Sequence, residues 1–197
     1  GKYAEQNPDR SAFVMAATGE RVSYQEFEAR SNRVAHYLAD KGLGFQDHYS
    51  IFMENNNRYL ESCAAGERSG LYFTCINSFL TSDELAYIIN NSESQILITS
   101  MSKLEAAQEA LAQCTAIKEV LVVGAGDADL PEGMSDFAST LSKYPETPLE
   151  RELLGAAMLY SSGTTGRPKG IVRPLPEQSP NEPLPVIGFL SGLWRYR

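Results

Sequence analysis

The sequence predicts an α/β fold in which a mainly parallel sheet carries helices on its faces. Between residues 23 and 123, extended apolar segments alternate with segments of helical periodicity. Strands separated by helices in this rhythm form right-handed β-α-β units, whose strands lie parallel in one sheet. The 197-residue chain is 43% hydrophobic and 21% charged, which is ordinary for a globular protein with a substantial core.

Local patterns justify the individual elements. Residues 23–41 place Phe27, Val34 and Leu38 near one helical face, and Gly42 follows as a favoured C-cap residue. Further along, Thr81-Ser82-Asp83-Glu84 is a capping box, which opens a helix that is predicted to end near residue 90. The predicted strands are 49–53, 71–76, 95–99 and 119–123, and the predicted helices are 23–41, 58–69, 81–90 and 102–113.

The composition changes in the carboxy-terminal part of the chain. Residues 1–150 are predicted to hold the β-α units and, from residue 124, a surface linker rich in acids, proline and small residues. Residues 151–173 form a unit around a glycine-rich loop, with a second strand predicted after the loop at 171–173. Residues 174–197 begin with a proline-rich stretch, which predicts an extended, non-helical segment there.

The glycine-rich loop is the most informative stretch of the chain, and it reads Tyr160-Ser161-Ser162-Gly163-Thr164-Thr165-Gly166-Arg167-Pro168-Lys169-Gly170. Glycine lets the backbone turn sharply and approach a bulky anion, and consecutive N–H groups can then converge on phosphate oxygens. The hydroxyls add donors, and the lysine adds a mobile point charge. We therefore predict a phosphate-binding site formed by Ser161, Ser162, Gly163, Thr164, Thr165, Gly166 and Lys169.

The charge distribution favours this interpretation over a surface loop with incidental glycines. The chain carries 17 Lys and Arg against 25 Asp and Glu, yet residues 153–176 contain Arg167, Lys169 and Arg173 and no acid. A local cationic region in an acidic protein suits an anionic ligand. The loop is not a Walker A sequence, because Pro168 and Gly170 occupy the positions that need Gly and Ser or Thr.

Other classes of function are disfavoured. A net charge of −8 argues against nucleic acid and anionic membranes as partners, and no apolar run approaches the roughly 20 residues of a transmembrane helix. The three cysteines are widely spaced and lie in apolar sequence, so buried structural thiols are predicted. With two histidines and no cysteine pair at ligand spacing, no metal site is predicted.

At the loop the chain resembles the adenylate-forming superfamily, which includes acyl-CoA synthetases, amino-acid adenylation domains and luciferases. Every specified position of that family's phosphate loop is met by residues 160–170. The order and spacing of further segments extend the resemblance upstream, through 21–27, 29–35, 42–44, Asn55 and 80–89. The resemblance implies an incomplete amino-terminal part of the large adenylate-forming domain.

The function that the resemblance implies is that of a segment of an acyl-CoA synthetase. Such enzymes use ATP and Mg²⁺ to activate a small carboxylic acid as an acyl-adenylate, and they then transfer the acyl group to coenzyme A. The alternatives are an amino-acid adenylation domain that serves a carrier protein, and a non-catalytic nucleotide-binding or interaction fragment. A cytoplasmic protein is expected, because the first residues show no apolar signal core. The resemblance matches no catalytic residue within residues 1–197, so this segment alone is expected to be inactive.

Overall fold

The structure, a computed structural model, describes residues 1–161 and 167–182, together with Phe189 and Leu193. The helices of the described chain are α1 Lys2–Gln6, α2 Tyr24–Asp40, α3 Tyr59–Ser69, α4 Ser82–Asn91, α5 Leu104–Leu111 and α6 Phe137–Leu141. Its strands are β1 Ser11–Val14, β2 Arg21–Ser23, β3 His48–Phe52, β4 Tyr72–Cys75, β5 Ile96–Ser100, β6 Glu119–Val123, β7 Met134–Asp136, β8 Ala156–Ala157, β9 Leu159–Ser161 and β10 Lys169–Ile171.

The main sheet has six strands in the order β7-β6-β5-β3-β4-β8, and every neighbouring pair is parallel. This arrangement confirms the predicted fold class. The central strands are buried on both faces, and all five residues of β5 are inaccessible. Such burial is typical of parallel sheets, because the crossover helices cover both sides.

Successive strand residues supply the cores on opposite faces of the sheet, as the two-residue period of a strand requires. Ile96 and Ile98 pack into one cluster with side chains from α2, α3 and α6. Leu97 lies between them in sequence and packs into the other cluster with side chains from α4 and α5. The sheet therefore lies between two helical layers.

The helix ends follow the local chemistry of the sequence. The capping box predicted at Thr81 and Glu84 is present, with both reciprocal bonds to the backbone, and Ser23 and Glu26 form a second one at the start of α2. Helix α3 ends at Gly70, whose φ of 69° is left-handed and therefore suits a residue without a Cβ. These caps set the residues at which α2 and α4 begin and α3 ends.

Two regions contain more regular structure than the sequence indicated. Strands β1 and β2 pair as an antiparallel hairpin before α2. Within the predicted linker, β7 pairs with β6 at the sheet edge, and α6 buries Phe137 and Leu141 against the core. Strand β7 has the sequence Met-Ser-Asp, so only its pairing with a neighbour makes it a strand.

The end of α3 holds the segment that leads into β8. The Arg68 guanidinium lies 2.9 Å from a Glu28 carboxylate oxygen on α2 and 3.8 Å from one of Glu152. The Leu153 N–H donates to the Arg68 carbonyl at 3.2 Å, and the Gly155 N–H donates to the Glu67 carbonyl at 2.9 Å. These contacts bring the chain back to β4 just before the predicted phosphate loop.

The described helices differ from a membrane span in length and hydropathy. None of them is long and apolar enough to cross a bilayer.

Candidate functional site

The predicted phosphate loop is the connection of a β-hairpin. Strands β9 and β10 are antiparallel, with Ser161 opposite Lys169, Tyr160 opposite Gly170 and Leu159 opposite Ile171. Directly opposed residues of an antiparallel pair project from the same face, so Ser161 and Lys169 share one side of the hairpin. The structure thus brings together the two outermost residues of the predicted site.

The other predicted site residues, Ser162, Gly163, Thr164, Thr165 and Gly166, lie outside the described residues. Their roles as phosphate ligands remain a prediction.

Gly170 has a packing role that the sequence did not reveal. A Cβ at this position would contact the Met158 methyl group and would come within 3.0 Å of Cζ of the Tyr160 ring. The loop sequence predicts that its glycines allow close approach of a ligand. For Gly170, the structure shows close approach of the neighbouring side chains instead.

The hairpin is attached to α4 by two tyrosines. The Tyr160 hydroxyl donates to Oδ1 of Asn91 at 2.8 Å, and the Tyr87 hydroxyl donates to the Pro168 carbonyl at 3.0 Å. Burial, with a smaller contribution from Tyr87, raises the pKa of Tyr160 to about 12, so its phenol stays a neutral donor. Sequence reasoning missed Tyr87 and Asn91. Their spacing of four residues places them on one face of α4, which extends one residue beyond the predicted end near residue 90.

Arg167 is also placed by α4. Its guanidinium carbon lies 5.2 Å from the centroid of the Tyr87 ring, a cation–π geometry. Arg167, Lys169 and Arg173 are all exposed, and none of them takes part in an ion pair within the described part of the chain. The cationic region seen in the sequence is therefore available at the surface around the hairpin.

A cleft of about 340 Å³ lies beside the hairpin. It is lined by the end of β4 and the turn after it, by α4, and by β9 and Pro168. Thr74 is buried in its wall, and no residue in the described part of the chain forms a hydrogen bond with the Thr74 hydroxyl. Because parallel α/β sheets bind ligands outside the carboxyl ends of their strands, the cleft occupies a favoured position for a small ligand.

Across residues 1–161 and 167–182, no group of three or more His, Cys, Asp and Glu side chains is placed to hold a metal ion. Burial lowers the pKa of His48, whose ring stacks on Tyr72 with centroids 4.8 Å apart. This histidine consequently packs against the sheet through its ring.

Comparison with known proteins identifies the family. Residues 2–175 match the family described as AMP-binding enzyme. The chain is 31% identical, over 169 residues, to 3-oxocholest-4-en-26-oate–CoA ligase of Rhodococcus rhodochrous, and it is 27% identical, over 172 residues, to acyl-CoA synthetase 7 of Caenorhabditis elegans. These alignments cover 84% and 86% of the chain but only 30% and 32% of the two relatives.

A comparison with solved structures shows a shared fold. The structure of an anthranilate CoA ligase in complex with anthranoyl-AMP superposes with a TM-score of 0.72 at 21% identity, and the match covers 85% of this chain and 33% of that one. The chain therefore spans about a third of the length of the relatives that it matches. The predicted resemblance is confirmed, and the chain belongs to the AMP-binding enzyme family.

Proposed function

We propose that this chain is an amino-terminal segment of an ATP-dependent carboxylic acid–CoA ligase. The ligase would activate the acid as an acyl-adenylate, with release of pyrophosphate, before thioester formation with coenzyme A. The observation that carries the proposal is the β9–β10 hairpin, which joins Ser161 and Lys169 beside a cleft at the carboxyl end of β4. The relatives named above are CoA ligases, which supports the same activity.

The task of this segment in that reaction is to bind and orient polyphosphate. Lys169 would neutralise phosphate charge, and Ser161, Ser162, Thr164 and Thr165 would donate hydrogen bonds. Gly163 and Gly166 would let backbone N–H groups approach the same oxygens. Phosphates fixed in this way hold the α-phosphorus in line for attack by the carboxylate, and they disperse the charge that develops on pyrophosphate.

ATP fits the residues present better than Mg²⁺ does. The exposed cations Arg167 and Lys169 flank the loop, whereas no cluster of metal ligands occurs in the described ranges. We therefore assign ATP phosphates to this segment. Residues outside the chain are proposed to bind Mg²⁺, coenzyme A and the carboxylic acid. A cytoplasmic location is part of the proposal, and the three free cysteines support it.

ATP–pyrophosphate exchange by the whole protein that contains this chain tests the proposal. The assay uses a panel of fatty, steroid, aromatic and amino acids. We expect exchange that depends on one class of carboxylic acid, followed by a thioester when coenzyme A is added. Exchange with amino acids alone and no CoA thioester would support an adenylation domain that serves a carrier protein. ATP binding without exchange for any acid would support a non-catalytic fragment.

Residues 1–197 expressed alone provide a second test. The predicted phosphate loop lies within these residues, whereas the other contacts of the reaction are assigned outside the chain. We expect no acyl-adenylate and weak binding of ATP-Mg²⁺ by calorimetric titration. Robust exchange by this piece would contradict the proposed division of roles.

A further inference from the structure

Two cysteines from different elements meet beside the cleft. Cys63 lies on α3, and Cys75 is the last residue of β4. Their Sγ atoms are 3.6 Å apart. Cys63 is half-buried and Cys75 is exposed, so the prediction of three buried structural thiols is wrong for Cys75. Strand geometry explains the exposure, because the first three residues of β4 are buried and the strand then leaves the covered part of the sheet.

The pKa values of the two thiols shift in opposite directions. Hydrogen bonds from Cys63 and, to a smaller extent, from Tyr59 stabilise the Cys75 thiolate and lower the pKa of Cys75 to about 7 against the cost of burial. The same hydrogen bond to Cys75, together with burial, raises the pKa of Cys63. Because the thiolate is the nucleophilic form, Cys75 is the thiol that reacts first, and Cys63 is placed to react second.

The accessibility of the two sulfur atoms also favours reaction of Cys75 before Cys63. Cys75 lines the cleft together with Ser161 and Pro168, so a small solute in the cleft reaches its sulfur directly. Cys63 packs against the core cluster behind it. This pairing of an accessible sulfur with a sheltered sulfur in contact is typical of redox-sensitive dithiols.

We propose that Cys63 and Cys75 are a peroxide-sensitive dithiol that closes to a disulfide at the wall of the cleft. In the first step the Cys75 sulfur attacks hydrogen peroxide, an S–O bond forms, the O–O bond breaks, and hydroxide leaves as water after protonation. In the second step the Cys63 sulfur attacks the sulfur of the Cys75 sulfenic acid, an S–S bond forms and the S–O bond breaks. The departing hydroxide takes up the Cys63 proton and leaves as the second water. Two thiols are oxidised by two electrons, and one peroxide is reduced to two waters.

Cys114 provides an internal control. It lies beyond the end of α5, and its sulfur contacts the Ala110 carbonyl at 3.3 Å. Burial raises its pKa. A half-buried thiol with a raised pKa reacts slowly with peroxide, so Cys114 is expected to stay reduced under conditions that oxidise the pair.

The experiment treats the protein with hydrogen peroxide, alkylates the remaining thiols under denaturing conditions, and maps the peptides by mass spectrometry without reduction. We expect an intramolecular Cys63–Cys75 peptide pair, with Cys114 alkylated and the pair restored to thiols by dithiothreitol. The oxidation rate should fall as the pH drops below about 7, because Cys75 becomes protonated. Retention of all three thiols in the wild-type protein, or a disulfide that involves Cys114, would overturn the proposal.

Single variants separate the two steps. Cys63→Ser should stop at a Cys75 sulfenic acid that dimedone traps, Cys75→Ser should suppress oxidation of Cys63, and Cys114→Ser should form the disulfide as the wild type does. Circular dichroism before treatment checks the fold of each variant. The proposal is independent of the acid–CoA ligase function, because its readout is the thiol state and no nucleotide is added. If Cys75→Ser oxidised at the wild-type rate, the assignment of the reactive thiol would be wrong.

Discussion

The central sheet and the β9–β10 hairpin are built from strands of opposite character. Strand β5 buries all five of its residues, whereas β9 and β10 have exposed residues at both ends and only half-buried residues in the middle. Leu159 and Ile171 are 56% and 49% exposed. The difference in burial indicates that the sheet and its helices contribute most of the folding stability. The exposed side chains of the hairpin contribute little to it and remain free for other contacts.

The largest effect should come from the core. Ile98 is fully buried in the central sheet, so Ile98→Ala removes apolar contacts and leaves a cavity. We expect a loss of about 2–5 kcal/mol in the free energy of unfolding. The matched change Leu159→Ala in the hairpin should cost less than about 0.5 kcal/mol. Urea denaturation of both variants measures the difference, and equal losses would contradict the contrast between the two regions.

The next effect concerns activity rather than stability. Lys169 is exposed at the start of β10, so Lys169→Ala should leave the unfolding midpoint nearly unchanged. A charge-assisted hydrogen bond to phosphate contributes about 1.5–3 kcal/mol, so ATP–pyrophosphate exchange by the whole protein should fall roughly ten- to hundredfold. Lys143→Ala, at an exposed lysine that follows α6, is the control. Unchanged exchange for Lys169→Ala would remove Lys169 from the site.

A third substitution tests the junction between the two regions. At Gly155 a Cβ would collide with the backbone carbonyls of Gly66 and Leu71. Gly155→Ala should therefore push β8 away from β4 and cost about 1–3 kcal/mol, as overpacking does. Gly44→Ala is the control, because a Cβ there meets only the Asp47 carboxylate at 3.9 Å. Thermal unfolding distinguishes them, and a tolerated Gly155→Ala would show that this junction is adjustable.

The smallest effect is expected at a helix start. Thr81 caps α4, the helix to which the hairpin is attached. Thr81→Ala removes the acceptor for the Glu84 N–H and should cost about 1 kcal/mol of stability. Thr115→Ala, at an exposed position after α5, should change little. If both variants unfold alike, the capping box does not contribute measurably to the stability of this layer.

The elements predicted from sequence are those whose patterns are self-contained. Strands β3, β4, β5 and β6 are short segments rich in apolar residues, and the capping box marks the start of α4, so each could be recognised without knowledge of its neighbours. Strand β7 could not, because its Met-Ser-Asp sequence has no strand pattern and depends on pairing with β6. Helix α5 is shorter than predicted, since a 3-10 turn at Met101–Lys103 precedes it.

In the candidate site, too, the sequence predicts the local features but not the contacts between distant residues. The loop motif locates Ser161 and Lys169, and the structure places them opposite each other. The sequence could not show that Tyr87 and Asn91 attach the hairpin to α4, because those contacts join residues far apart in the chain. It also could not pair Cys63 with Cys75, since their proximity depends on the packing of α3 against β4.

The position of β8 at the edge of the sheet has a consequence for the order of folding. Strands β3, β4, β5, β6 and β7 follow one another closely along the chain, but β8 pairs with β4 only after the chain has passed through all the later strands. Closing so long a segment carries a large entropic cost, which must be met before the pairing stabilises anything. We therefore expect β8 and the hairpin to dock last in refolding, after the rest of the sheet has assembled, so that the hydrogen bonds of the hairpin to Tyr87 and Asn91 form late.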